Sequence, residues 1–217
     1  MIKFSNTAAA GCELAEQLRK LEDLKESIVL AIASGGVFTA AAVACELKLP
    51  LELLFIRRLA APLGPQKVSC AFSVGGMLVV DDELLPLPVN PVTGLDYCVV
   101  EGIEQIEAQA CYCRGDRPPL NLSGTKVILV DNGIHTGGTM QIAIRALRKL
   151  GVTKITAATP VADGNSRQLI ECLADEVVCL QWPEKFGHAG LWYEEFSRPT
   201  NDEILSLYLR SEETMNE

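Results

Sequence analysis

Positive charge, histidine and long apolar runs are all scarce in this chain, and each shortage closes off a class of function. Nineteen Lys and Arg stand against twenty-eight Asp and Glu, a formal charge of −9. Nucleic-acid binding needs clustered cations to neutralise phosphates, so that class is excluded. The longest apolar runs, Ile28 to Ala33 and Val127 to Val130, are strand-length, far short of the roughly 18 residues that suggest a membrane span. The opening "MIKFSNTAAAGCELAEQL" lacks the basic start and long apolar block of a secretory signal, which makes the cytoplasm the expected compartment. Eight cysteines and two histidines are present. No C-x-x-C and no histidine cluster occurs, so neither a zinc site nor any other protein-built metal site is expected. Cys45, Cys98, Cys172 and Cys179 stand singly in apolar stretches, the pattern of buried, reduced thiols.

What is present is an ordinary globular composition, 48% apolar and 22% charged over 217 residues, enough for one sizeable domain. Strand and helix patterns alternate along it. Ala8 to Leu24 carries Leu14, Leu18 and Leu21 at helical spacing, and "SIVLAIA" then reads as a buried strand. Gly35-Gly36 opens a helix with an expected inner stripe of Phe38, Ala41, Ala42 and Cys45. "LELLFI" is the next strand, "RRLAAPLGPQK" a long loop, and "CAFSVGGMLVVDD" a hairpin about Gly75-Gly76. "KVILVD" has no polar alternation, as expected of a parallel strand covered on both faces. The helix from Gly138 to Leu150 has Met140, Ala143, Ile144 and Leu147 inward and Gly151 as its cap. "KITAAT" and "EVVCL" are two more strands around a short helix near Asn165 to Leu173. The order βαβα gives an α/β fold, a mostly parallel twisted sheet flanked by helices.

One stretch stands out: "VILVDNGIHTGGTM", Val127 to Met140. A parallel strand delivers its ligand-binding residues at its carboxyl end, and this one runs straight into a helix N-terminus. Open amides and a partial positive charge of roughly half a unit suit a phosphate there. Thr136 and Thr139 add hydroxyls, while Asp131 is a good acceptor for sugar hydroxyls. The turn therefore fits a phosphorylated sugar. Gly133 and Gly138 have the spacing of a P-loop, but Thr139 occupies the place of its lysine, and no G-x-G-x-x-G appears early in the chain.

On these residues the chain resembles the type I phosphoribosyltransferases, whose phosphoribosyl-pyrophosphate (PRPP) motif has apolar residues, an acidic pair and a T-G-G-T turn. The likeness runs from about Ile28 to Phe196. It is similar in particular to an uncharacterised branch of predicted phosphoribosyltransferases, through "GGV", "RPPLNLSGTKVILVD", "PVA" and "ADEVVCL". The resemblance implies one domain over 1–217, with its core at about 27–160 and a small hood from about 160–200 plus the N-terminal helix. Thr136, Gly137, Gly138 and Thr139 would hold the 5′-phosphate, with Asp131, Asn132 and Gly133 at the ribose. Ser34, Gly35 and Gly36 would form the pyrophosphate loop, with Arg57 and Arg58 beside it. A following loop through Lys67 would act as a lid. Mg²⁺ would be carried mainly by PRPP itself.

Two departures from the family pattern are visible. The acidic pair is Asp131-Asn132, and the usual basic residue before the loop glycines is replaced by Ala33-Ser34. The aromatics of "QWPEKFGHAGLWYEEF" would form the hood, with Phe186 and Trp182 as base-stacking candidates. His135 stands where the purine-specific members carry an aspartate that handles a ring proton, which makes His135 and Asp131 the candidate catalytic residues. The implied activity is Mg²⁺-dependent transfer of ribose 5-phosphate from PRPP to a nitrogenous base or similar acceptor, a step of nucleotide metabolism. The alternative is a regulatory protein that senses PRPP or a 5′-phosphorylated nucleotide without transfer. A homodimer is the candidate assembly.

Overall fold

A computed structural model of the chain describes residues 3–33, 35–60, 68–74, 77–80, 95–115, 117 and 120–216. Among the described residues seven strands form one sheet: β1 (Ser27–Ile32), β2 (Leu51–Ala60), β3 (Val68–Val74), β4 (Met77–Val80), β5 (Lys126–Val130), β6 (Lys154–Val161) and β7 (Glu176–Gln181), in the order β4-β3-β2-β1-β5-β6-β7. In that order the five strands from β2 across to β7 run parallel, and β3 and β4 extend the β2 edge antiparallel. Among the described residues six α-helices flank it: α1 (Thr7–Leu18), α2 (Val37–Leu47), α3 (Leu95–Arg114), α4 (Gly138–Lys149), α5 (Arg167–Glu171) and α6 (Asn201–Asn216).

The central strands are apolar on nearly every residue because both faces are covered. On one face Val29 and Ala31 of β1 and Ile128 and Val130 of β5 pack with residues of α1, α2, α3 and α6. On the other, Leu30, Ile32, Val127 and Leu129 meet α4 and α5. The alternation of two apolar sets along one strand is what parallel pairing between helical layers demands. Removing one such side chain, as in Leu129→Ala, would cost about 2–5 kcal/mol.

Several expectations need correction. The first helix ends at Leu18, not Leu24; Leu21 and Leu24 follow it in turns and still pack on the core. The buried residues of α2 are Val37, Thr39, Ala40, Val43 and Ala44, not the stripe containing Phe38 and Cys45. Because α2 is apolar nearly all round, its sequence does not set its rotation. Its contact with α1 does: a Cβ on Gly11 would lie 2.5 Å from the Thr39 carbonyl oxygen and 2.8 Å from Ala42 Cβ. In consequence Cys45 is exposed, as is Cys172, so neither is the buried thiol expected. Strand β2 also continues through Arg57 and Arg58 to Ala60, since β3 pairs with it. Ser34, the loop at 61–67, the Gly75-Gly76 turn and residues 81–94 lie outside the described residues.

Candidate functional site

The site sits where β1 and β5, the two central strands, end side by side. Past β1 the chain turns through Gly35 and Gly36 into α2; past β5 it turns through residues 131–137 into α4. These turns touch. A Cβ on Gly36 would lie 2.5 Å from the Val130 carbonyl oxygen and 2.9 Å from Asp131 Cα, so only glycine admits this approach. A Cβ on Gly35 would lie 3.0 Å from Asn132 Nδ2, placing the Asn132 amide group directly over that glycine.

Asp131 keeps an edge to solvent, but its carboxyl is sunk in the mouth of the sheet. Burial pushes its pKa up to about 7, opposed by the Asn132 N–H, which donates to Asp131 Oδ1 at 2.8 Å. Asn132 is itself buried, at 7% exposure. Its carbonyl accepts a hydrogen bond from the Tyr193 hydroxyl. Burial, and then the nearby Asp131 charge, hold that hydroxyl's pKa high, so it remains a donor. Further along, the Ile134 N–H donates to the Val161 carbonyl at 3.0 Å and the Asp163 N–H to the Ile134 carbonyl at 2.8 Å, which ties the turn to the end of β6.

Beyond Ile134 the turn opens. His135 and Thr136 are exposed, and Gly137 adopts φ +77°, the left-handed geometry that swings the chain into α4. No side chain caps α4, and its first turn holds no acidic residue. Among the described residues the amides of Thr136, Gly137 and Gly138 donate to no protein acceptor. Thr139 is half-buried within that first turn. Such an end presents N–H groups and the positive pole of the helix to an anion.

The hood lies across this turn. A Cβ on Gly133 would meet Ala189 Cβ at 2.8 Å and Phe186 Cζ at 3.4 Å. Phe186 is 2% exposed and packs with Phe4, Trp192 and Tyr193. Trp192 Nε1 donates to the Phe186 carbonyl at 3.0 Å. The Phe186 ring lies beside the His135 imidazole in an offset, near-parallel contact, with centroids 5.5 Å apart and planes 18° from parallel. Trp182 is set apart from this pair; it packs on the α4 side of the sheet, with the Arg167 guanidinium 5.3 Å over its ring. Asp131, Asn132, Gly133, His135, Gly35, Gly36 and Phe186 are therefore brought together. Arg57 and Arg58 extend β2 past its parallel segment. Tyr193, sixty-one residues from Asn132, is the contributor that no local pattern signals.

These features define a phosphoribosyl transferase domain: that family's sequence pattern matches residues 4–194, and the chain belongs to it. Two curated relatives from Mycobacterium tuberculosis, strains H37Rv and CDC 1551, each provisionally named a phosphoribosyl transferase, are 30% identical over 213 residues. The match covers 96% of this chain and 47% of theirs, so the chain spans about half the length of these relatives. The crystal structure of TT1426 from Thermus thermophilus is similar at a TM-score of 0.81 and 28% identity, over 96% of this chain and 99% of that one. A Neisseria gonorrhoeae protein solved with bound ppGpp shares the fold at a TM-score of 0.50 and 15% identity, over 97% of this chain and 98% of that one. No helix among the described residues is long and apolar enough to cross a membrane.

Proposed function

We propose that this chain is a Mg²⁺-dependent phosphoribosyltransferase, moving ribose 5-phosphate from PRPP to a nitrogenous base or similar acceptor with release of pyrophosphate. The observation that carries the reading is the juxtaposition of Asp131 with the uncapped start of α4 at the carboxyl end of a central strand. Phosphate oxygens would take the open amides of Thr136, Gly137 and Gly138, with the hydroxyls of Thr136 and Thr139 alongside. Asp131 and the Asn132 amide would hold the ribose hydroxyls. Ser34, Gly35 and Gly36, with Arg57 and Arg58, would face the pyrophosphate.

No group of three or more metal-ligating side chains occurs among the described residues, and the turn offers one carboxylate beside one amide. This donor set fits an ion that brings most of its oxygen ligands with the substrate's phosphates, as Mg²⁺ commonly does. The ion would supply charge neutralisation on the departing pyrophosphate. The chain's own groups position the reactants and stabilise charge. As the C1–O bond to pyrophosphate breaks and the bond to the acceptor nitrogen forms, the acceptor's proton would pass to the His135 imidazole.

Thermal unfolding with ligand tests the reading. Ribose 5-phosphate or PRPP at about 100 times its Kd should stabilise the fold by roughly 2.7 kcal/mol. Thr136→Val and Thr139→Val should shrink that gain. No stabilisation by any 5′-phosphate compound at millimolar concentration would end the proposal, and pyrophosphate release across a panel of bases would identify the acceptor.

One observation favours a second reading, a regulatory protein that binds PRPP or a nucleotide without transfer. Asn132, where the family has a second carboxylate, is fitted closely against Gly35. If the missing charge only weakens transfer, Asn132→Asp should tighten PRPP binding in Mg²⁺. Weaker binding in that variant would support the regulatory reading.

A further inference from the structure

We infer that Tyr193 is a positioning residue for the ribose half of the site: its hydroxyl holds the Asn132 peptide so that the Asp131 carboxyl and the Asn132 amide can meet the sugar hydroxyls. This rests on the phosphoribosyl reading of the turn and gives a role to a residue far from it in the chain.

Two anchors divide the turn. At the first, the Asn132 backbone is held on both sides. Its N–H donates to Asp131 Oδ1 at 2.8 Å, and its carbonyl accepts from the Tyr193 hydroxyl. Among the described residues no backbone N–H donates to that carbonyl. A buried carbonyl without a donor is costly, so the tyrosine fixes which way this peptide faces. With Oδ1 engaged by the Asn132 N–H, Oδ2 is the Asp131 oxygen left for a sugar hydroxyl. The Asn132 side chain is set against Gly35, where a Cβ would lie 3.0 Å from Nδ2 and 3.1 Å from Oδ1. Turning the peptide would move both groups at once.

The second anchor is Ile134, whose N–H donates to the Val161 carbonyl and whose carbonyl accepts from the Asp163 N–H. It lies between Asn132 and the open amides of residues 136–138. Loss of the Tyr193 hydrogen bond should therefore be felt in the ribose half, while the phosphate half keeps its own tie to the end of β6.

What aims the hydroxyl is remote from the turn. Residues 192–195 pair with the segment before α1. The Phe4 N–H donates to the Trp192 carbonyl at 2.9 Å, the Glu194 N–H to the Phe4 carbonyl at 2.8 Å and the Glu195 N–H to the Ser5 carbonyl at 2.9 Å. The Tyr193 ring is 2% exposed and packs with Phe4 and Phe196, at centroid distances of 5.6 and 5.3 Å. None of these contacts uses the hydroxyl, which leaves it free to serve Asn132 alone.

The experiment measures affinities for ribose 5-phosphate, 2-deoxyribose 5-phosphate and inorganic phosphate by calorimetry at pH 8, above the Asp131 pKa of about 7. The quantity read is the ratio of the first affinity to the second, which isolates one sugar hydroxyl. In the parent it should be on the order of 10- to 150-fold, the range of one hydrogen bond to a charged group. Tyr193→Phe deletes one oxygen and keeps the ring. It should lower the ratio by on the order of tenfold and leave inorganic phosphate binding at the parental value. Trp192→Phe removes the hood's hydrogen bond to the Phe186 carbonyl, which does not involve Asn132, and should keep the parental ratio. A ratio unchanged in Tyr193→Phe overturns the inference. So does an equal fall in Trp192→Phe, or a matching loss of inorganic phosphate binding, since either would make the tyrosine part of the general scaffold. Should Tyr193→Phe not fold, Phe4→Leu loosens the ring with its hydroxyl in place; the ratio should fall there too, and a parental ratio would overturn the inference. A parent that binds all three compounds without preferring the 2-hydroxyl overturns the inference and leaves the phosphate site standing. A parent that binds none of them at millimolar concentration overturns the phosphoribosyl reading along with it.

Discussion

Two strand-to-helix turns lie side by side at the carboxyl ends of β1 and β5, and they use glycine for opposite reasons. In the first, the Gly35 and Gly36 amides both donate to the Ile32 carbonyl, at 3.3 and 2.9 Å. Gly36 is needed there for lack of space, having an ordinary helical φ of −76° with the Val130 carbonyl where a Cβ would go. In the second, Gly137 is less crowded, its nearest would-be neighbour being the flexible tip of Leu169 at 3.2 Å rather than backbone, and its φ of +77° is one that side chains resist. The amides beside it have no protein partner among the described residues. The first turn is closed on itself and packed, while the second is tied to its surroundings at Asp131, Asn132 and Ile134 and leaves the amides of Thr136, Gly137 and Gly138 without a protein acceptor among the described residues. Capacity to bind an anion through backbone amides follows from hydrogen bonds left unmade, not from glycine content.

The largest effect that would sharpen this contrast is chemical. If the open turn carries the reaction, His135→Ala should lower turnover by roughly 10²–10⁴-fold, measured as pyrophosphate release once an acceptor is in hand. Turnover at the parental rate would leave that turn a binding element only. Gly36→Ala comes next, because its intruding methyl meets strand backbone that cannot yield; a loss of about 1–3 kcal/mol in chemical denaturation is expected.

Asp131 gives an effect of similar or smaller size, with a definite sign. In the unfolded chain this carboxyl ionises near its ordinary value of 3.8, and burial in the fold pushes that up to about 7. Between those values the folded state holds the extra proton, so the stability due to this group is complete below about pH 4 and is lost as pH rises through about 7. Asp131→Asn should then be more stable than the parent at pH 8, by on the order of 1–3 kcal/mol, with the difference vanishing towards pH 4. A difference that does not change with pH would mean that the carboxyl is not held neutral by the fold. The smallest effect is that of Gly137→Ala, about 1–2 kcal/mol for placing a side chain in left-handed backbone. A loss there greater than in Gly36→Ala would break the assignment of crowding to one turn and conformation to the other.

Much of this was legible in the residues. The unbroken apolar run of β5 announced a strand covered on both faces, and the amphipathic α4 showed its inner side through Met140, Ala143, Ile144 and Leu147. Where a helix is apolar all round, as α2 is, periodicity could not choose a face. The start of α6 is written in its sequence: Thr200 and Glu203 form a reciprocal capping pair, with the Thr200 N–H donating to Glu203 Oε2 at 2.8 Å and the Glu203 N–H to Thr200 Oγ1 at 3.3 Å. At the site, the stretch from Asp131 to Thr139 was readable because all its parts are sequence neighbours. Tyr193 on the Asn132 carbonyl and Phe186 beside His135 were not, because nothing local couples positions so far apart in the chain.

The sequence by itself determined the kind of turn, a short acidic and glycine-rich bend between a buried strand and an amphipathic helix, because hydrophobic period and backbone permissiveness are properties of neighbouring residues. Tertiary structure alone decided what that turn can offer a ligand. Only packing of the hood on Gly133 turns one aromatic inward and leaves another outward. Only burial at the mouth of the sheet raises the Asp131 pKa, since desolvation depends on what the rest of the chain brings near a charge.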